Sequence, residues 1–102
     1  MTNMSTSRQD SLVKSAHCKT TSASKYLKRL CKHFNHRVPA QWTETEGRVE
    51  FDIGVSHFSV SGDNLNIVCH AQTNDDMAEV VDTIDRHFVR FAKADSLTLT
   101  WS

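Results

Sequence analysis

From Arg48 to Ala71 the chain alternates apolar with polar residues through three consecutive segments. In the first segment Val49, Phe51 and Ile53 are separated by charged residues. A period of two is typical of a β-strand with one buried and one solvated face. The sequence therefore predicts an antiparallel sheet covered on one side only, with strands at Arg48–Ile53, Ser56–Ser61 and Leu65–Ala71.

Two amphipathic helices are predicted to flank these strands. The first spans Ser22–Arg37, and the second begins at Thr73 or Asn74 and ends near Lys93–Asp95. In both segments apolar residues recur at spacings of three and four, which places them on one helical face. The two apolar stripes are Ala23, Tyr26, Leu27, Leu30, Cys31 and Phe34, and Met77, Val80, Val81, Ile84, Phe88 and Phe91.

The remaining segments complete the predicted order β-α-β-β-β-β-α-β. Further strands are expected at Ser11–Thr20, Val38–Thr45 and Leu97–Trp101, and Glu46-Gly47 is expected to form a turn. Helices and strands in separate runs favour an α+β fold, here a mostly antiparallel sheet of about six strands with both helices packed on one face. Residues 1–10 are polar and lack periodicity, which predicts a disordered tail before a single α+β domain at 11–102.

The composition argues against several classes of partner. Twelve basic and 12 acidic residues give a net charge of zero, which disfavours nucleic-acid binding. No apolar run approaches the roughly 20 residues of a membrane span, and the N-terminus lacks an apolar signal core. We therefore expect a cytoplasmic protein that contacts neither nucleic acid nor membrane. Three cysteines without CxxC pairing are expected to be free, buried thiols.

Motifs typical of enzymes are missing from the sequence. It contains no glycine-rich phosphate loop, no G-x-S-x-G and no HExxH. The inward-facing cysteines have no neighbouring cation that would activate a thiol. We expect a non-enzymatic protein, a monomer or weak dimer, with no catalytic residue and no cofactor.

Two histidines, His33 and His87, fall at the edges of the two apolar stripes. Helices that share one face of the sheet would bring them together in a groove. The residues placed to line it are Tyr26, Arg90, Arg29 or Arg86. Such a groove would suit a small ligand or a metal ion, and histidines that titrate near neutrality would also suit an acid–base enzyme. The alternative is two boundary histidines, each hydrogen-bonded to backbone or to a neighbour.

A second group, formed by His17, His57 and His70, is expected on the open face of the sheet. If Asp63-Asn64 is the hairpin loop, His57 lies directly opposite His70; if Gly62-Asp63 is the loop, the two are diagonal neighbours. A surface site for a metal or an anion and an ordinary polar face are both compatible with this pattern.

The run Cys31, His33, His36 has metal-ligand residue types but not metal-ligand geometry. On a continuous helix Cys31 faces the core, whereas His36 points almost the opposite way. The three side chains therefore do not converge on one point, and no metal ligands are predicted with this set.

Four segments together resemble a known bacterial family. These are KYLKRLCKHF, Trp42 with the following GRVEFDIG, RHFVRF, and LTLTW. From about Ser15 to Trp101 the chain resembles domain of unknown function 2218 (DUF2218). The resemblance implies a small cytoplasmic bacterial α+β domain without assigned activity, whose members accompany siderophore-interacting flavin reductases and are sometimes fused to them.

This resemblance also implies a role and a partner. It favours an accessory or binding module linked to siderophore iron uptake, with a siderophore-interacting flavin reductase as the partner. His33 and His87 match the two helix histidines of the family. Many relatives carry a cysteine near Ser56-His57, so a function that depends on that thiol is not expected in this chain.

Overall fold

A computed structural model describes residues 12–102, and its elements follow the predicted order. The strands are β1 (Leu12–Lys19), β2 (Ala40–Trp42), β3 (Glu46–Phe51), β4 (Gly54–Ser61), β5 (Asn64–Ala71) and β6 (Thr100–Trp101). The helices are α1 (Ala23–Phe34) and α2 (Asn74–Phe91), and a 3₁₀ turn spans Lys93–Asp95. The predicted disordered tail lies outside the described residues.

The six strands form one antiparallel sheet in the order β2-β3-β4-β5-β1-β6. β2 to β5 are sequential neighbours, and β1 inserts between β5 and β6. The α+β fold with a six-stranded sheet is therefore confirmed. Pro39 immediately precedes β2 at the sheet edge, where a residue without a backbone N–H is tolerated.

Both helices cover the same face of the sheet. α1 packs on β2, β3 and β4, and α2 packs on β1 and β5. The inward side chains of the strands are buried against the two apolar stripes; they include Ala16, Cys18, Val49, Phe58, Leu65, Ile67 and Cys69. No helix of residues 12–102 covers the opposite face, where His17, Arg48 and His57 are exposed.

The β4–β5 hairpin resolves the two registers that the sequence left open. Ser61 pairs with Asn64, so the loop is Gly62-Asp63. Gly62 has a φ of 59°, a left-handed conformation that glycine adopts without steric cost. His57 then pairs with Val68, and His70 with Val55, which makes the two histidines diagonal neighbours.

The predicted turn at Glu46-Gly47 is wrong. Both residues belong to β3, and the chain reverses before them, where the Thr43 N–H donates to the Glu46 carbonyl at 2.7 Å. Gly47 lies in the sheet because α1 packs tightly over it. A Cβ at this position would be 2.6 Å from Cys31 Sγ and 3.3 Å from Leu27.

The first helix ends earlier than predicted, at Phe34 instead of Arg37. Its last turn tightens, because the N–H of His36 donates to the His33 carbonyl and that of Arg37 to the Phe34 carbonyl, at 3.3 and 2.9 Å. These i→i−3 bonds are of the 3₁₀ type. Ser22 is the N-cap, but its side chain makes no capping hydrogen bond.

The last strand is also shorter than predicted. The 3₁₀ turn and Ser96, with a φ of 56°, follow α2, so the strand β6 covers only Thr100 and Trp101. Leu99 is nevertheless buried in the core. No helix found between residues 12 and 102 has the length and the apolar character of a membrane span.

All three cysteines are free and buried, as predicted. Burial raises the pKa of the Cys31 thiol to about 11 and also raises the pKa values of Cys18 and Cys69. In Cys69 a hydrogen bond from the Ser56 hydroxyl, at 3.4 Å, opposes this effect. Protonated buried thiols are poor nucleophiles, so the cysteines serve as packing residues.

Candidate functional site

The structure brings His33 of α1 and His87 of α2 into contact. Their ring centroids are 4.7 Å apart, with an interplanar angle of 44°. The contact follows from the sequence pattern, because each residue borders the apolar stripe of its helix and the two helices lie side by side on the sheet. His33 is exposed, whereas His87 is half-buried.

Aromatic rings surround this pair. Phe34 contacts the His87 ring with centroids 5.1 Å apart, and Phe91 contacts the His33 ring at 5.4 Å. Phe51, at the end of β3, packs edge-on against Phe34 at 5.2 Å. The two imidazoles thus pack against phenyl rings, and this packing restricts their side-chain rotation more than contact with solvent would.

The hydrogen bonding of His87 defines its tautomer. Nδ1 lies 2.6 Å from the carbonyl oxygen of Thr83, one turn earlier in α2. A carbonyl only accepts, so Nδ1 carries the proton and donates it to Thr83. The neutral ring therefore presents an unprotonated Nε2 with a free lone pair.

A surface cavity opens beside the two histidines. We call it the histidine cavity; it has a volume of about 600 Å³. Its wall consists of His33, Phe34, His36, Arg37, Val38, Phe51, Thr83 and His87. The polar part of this wall contains one guanidinium and three imidazoles and no carboxylate, so the cavity has the electrostatic character of an anion site.

The environment favours the neutral form of His33. Its pKa is lowered first by partial burial and then by the positive charges of His87, His36, Arg90 and Arg37. A cation is disfavoured both where water is displaced and where other cations are close. His33 is therefore a neutral imidazole near pH 7.

Two of the residues predicted to line the groove lie elsewhere. Tyr26 is buried, and its hydroxyl donates a hydrogen bond to the Asp95 carboxylate. Arg90 affects the pKa of His33 but is not part of the cavity wall. Tyr26 misses the cavity because it points along α1 toward the turn after α2, where its ring packs edge-on against Phe88.

Sequence reasoning missed His36 and Arg37 as cavity residues. On a helix that continued to Arg37, His36 would point away from the core. Because α1 ends at Phe34, the tightened turn places both side chains in the cavity wall beside His33. The only sequence signal for this turn is Pro39, which marks the end of the helix without fixing where it occurs.

The second pair, His57 and His70, lies on the open face of the sheet. Their ring centroids are 5.7 Å apart and nearly perpendicular, at 87°. The pKa of His57 is lowered by partial burial, by Arg48 and by His70, in that order. His17 pairs with Asn66 of β5, whereas the β1 residue opposite His70 is Val13, so His17 is not part of this pair. Within residues 12–102, no group of three histidine, cysteine or acidic side chains is arranged to hold a metal ion.

A protein-family model matches nearly the whole chain. The sequence model of a family described as uncharacterized protein conserved in bacteria (DUF2218) matches residues 15–102. The chain belongs to the DUF2218 family. The resemblance first seen in the sequence is thus confirmed over nearly the whole chain.

A solved structure supports the same fold. The NMR structure of PA4090 from Pseudomonas aeruginosa superimposes with a TM-score of 0.73 and is 26% identical in sequence. The match covers 88% of this chain and 94% of that chain. Among curated proteins no significant match is found.

Proposed function

We propose that this DUF2218 protein is a non-enzymatic binding module that holds a small anionic ligand with an aromatic part in the histidine cavity. The observation that carries the proposal is the composition of the cavity wall. Arg37 supplies positive charge and hydrogen-bond donors beside the imidazoles of His33, His36 and His87, over packed phenyl rings, and no carboxylate of residues 12–102 lines the wall.

Each part of this wall matches a part of such a ligand. A guanidinium donates paired hydrogen bonds to a carboxylate or phenolate, and these charge-assisted bonds are stronger than neutral ones. Phe34 and Phe51 offer ring faces and edges to an aromatic group. A volume of about 600 Å³ lies within the usual range for small-molecule sites.

Binding fits the wall better than catalysis does. The wall contains no thiol and no carboxylate that would orient an imidazole as a general base. The cysteines lie in the core, with raised pKa values. The imidazoles and the guanidinium are thus left as groups that bind and orient a ligand.

The ligand class and the partner rest on the family resemblance. An iron chelator of the catecholate type is anionic and aromatic, as the cavity requires, and suits a role in cytoplasmic siderophore handling. A siderophore-interacting flavin reductase is the corresponding protein partner. Co-elution of the two purified proteins on a sizing column tests the partnership, and separate elution at every concentration would contradict it.

Calorimetric titration with dihydroxybenzoate tests the cavity itself. We expect saturable binding to the wild type and binding at least about 10-fold weaker to Arg37→Ala, since a charge-assisted hydrogen bond is lost. Arg48→Ala removes the same charge from the open sheet face and serves as the matched control, with unchanged affinity. Equal affinity in all three proteins, or none in the wild type, would contradict the proposal.

A further inference from the structure

We infer that His33 and His87 form a two-histidine chelate for a divalent transition-metal ion, with the anionic ligand completing the coordination of that metal. The inference deepens the proposed function and rests on it for the identity of the cavity. It assigns the ligand to a narrower class: an anionic chelator that brings a metal with open coordination positions.

The separation of the two rings matches this chemistry. A metal about 2.0–2.1 Å from a ligating nitrogen lies about 3.2 Å from the centroid of that ring. Two imidazoles on one metal at ligand angles of about 90–109° then have centroids about 4.5–5.2 Å apart. The observed centroid distance between His33 and His87 is 4.7 Å, which lies within this range.

The hydrogen bonding of His87 also leaves one of its ring nitrogens available to a metal. The bond from His87 Nδ1 to the Thr83 carbonyl leaves Nε2 free. A backbone carbonyl in this position orients a ligating histidine and increases its basicity, as outer-sphere partners of metal-bound histidines do.

The charges around the pair show why the metal would arrive with an anion. Within the described residues no third histidine, cysteine or acidic ligand joins the pair, so the remaining positions fall to water or to the bound ligand. Arg37 and His36 lie in the same wall and place donors beside those positions. Their N–H groups donate to the oxygens of an anionic chelator, which adds to the binding that the two imidazoles give the metal alone.

The chemistry of imidazole restricts the metal. Imidazole suits Zn(II), Cu(II), Ni(II) and Fe(II), whereas Mg(II) and Ca(II) require oxygen ligands. The pair on the open sheet is a poorer chelate by the same geometric criterion. The ring centroids of His57 and His70 are 5.7 Å apart, outside the range for these ligand angles, and Arg48 is close enough to lower the pKa of His57.

Titration of the full chain with Zn(II) and with Ni(II) alone tests the inference by calorimetry and by NMR of the imidazoles. We expect one saturable site, with shifts at His33 and His87. His33→Ala and His87→Ala should each weaken binding at least about 10-fold. His33 is exposed, so its substitution keeps the fold, and a two-state melt of each variant without metal checks the fold.

The matched control is the double substitution His57→Ala and His70→Ala, which should leave both metal affinities unchanged. Absence of binding, equal binding to the variants and the wild type, or shifts at His57 and His70 would each overturn the inference. Dihydroxybenzoate titration of metal-free protein separates it from the proposed function. If the anion binds through Arg37 but no metal binds, the proposed function is supported and the metal inference is contradicted. If metal binds but the anion does not, the proposed function is contradicted and the metal inference is not.

Discussion

Two pairs of histidines in this small protein have similar spacing but very different surroundings. His33 and His87 lie on two helices, rest on phenyl rings and border a cavity. His57 and His70 lie on adjacent strands of an open sheet face, with Arg48 as a neighbour. We infer from the comparison that proximity of two imidazoles is not enough for a site, and that the tautomer, the enclosure and the nearby charge determine what the pair can bind.

The largest difference between the two pairs is their dependence on the core. Phe88 is fully buried beneath α2, whereas Val13 is 56% exposed on the open face. We expect Phe88→Ala to lower the free energy of unfolding by about 3–5 kcal/mol, because it leaves a cavity under the helix that carries His87. Val13→Ala should change it by less than about 0.5 kcal/mol.

Urea denaturation of both variants measures this difference. The contact between His33 and His87 should weaken in Phe88→Ala, and that between His57 and His70 should be retained in Val13→Ala. Similar losses of stability in the two variants would show that the helix layer does not hold the cavity as described.

Tyr26 provides the next test, because its hydroxyl ties α1 to Asp95 in the turn after α2. Tyr26→Phe removes this hydrogen bond and should lower the free energy of unfolding by about 1–2 kcal/mol. The loss should affect the helix pair first, so nuclear Overhauser contacts between His33 and His87 should weaken while those between His57 and His70 persist.

The same residue predicts a pH dependence. The Asp95 hydrogen bond and burial raise the pKa of Tyr26 from 10.0 to about 12. The interactions that raise this pKa stabilise the fold fully below pH 10.0. Their contribution to the free energy of unfolding is lost as pH rises toward about 12. Urea midpoints of the wild type should fall over this interval, and those of Tyr26→Phe should fall less; parallel curves would exclude Tyr26 as the cause.

Gly62 allows the sheet pair to be disturbed separately. Its φ of 59° suits the tight loop that makes His57 and His70 diagonal neighbours. Gly62→Ala should cost about 1 kcal/mol, because a Cβ disfavours the left-handed conformation. Gly62→Asn, whose residue type tolerates this region, is the matched control and should cost less; equal costs by urea denaturation would contradict a conformational origin.

The smallest predicted effect is on the pKa values of the histidines themselves. His87 is the leading charge that lowers the pKa of His33, whereas for His57 the leading charge is Arg48 and His70 follows. The pKa of His33 should therefore rise more in His87→Ala than that of His57 in His70→Ala. The other charges that act on His33, from His36, Arg37 and Arg90, are unchanged by the substitution.

NMR pH titration measures both shifts. A lowered pKa means that the unfolded chain binds a proton more readily, so acidification below the ordinary value of 6.5 should destabilise the fold. An equal or larger rise at His57 would contradict the closer coupling of the cavity pair.

Much of the fold follows from the sequence for physical reasons. Which side chains are buried follows from the alternation in β3, β4 and β5 and from the apolar stripes of α1 and α2. Either stripe, if it did not pack on the sheet, would expose its apolar side chains to water. The end of α1 does not follow, since Asn35 keeps helical angles, with φ −63° and ψ −14°, and no glycine marks the stop. The turn predicted at Glu46-Gly47 was wrong because the glycine is required for close packing against Cys31 and not for a turn.

The candidate site was only partly predictable, because part of it depends on where α1 ends. The stripe edges place His33 and His87 on neighbouring helices, so their approach can be expected from helical periodicity. The contribution of His36 and Arg37 depends on the tightened turn after Phe34, whose geometry is set by tertiary packing. The direction of Tyr26 depends on Asp95, which is distant in sequence.

The histidine cavity is tested most directly by the NMR spectrum of the six imidazoles recorded during addition of dihydroxybenzoate. We expect saturable shifts at the three cavity histidines, His33, His36 and His87, with no change at His17, His57 and His70. Shifts centred on His57 and His70, or no saturable shift at any histidine, would contradict it.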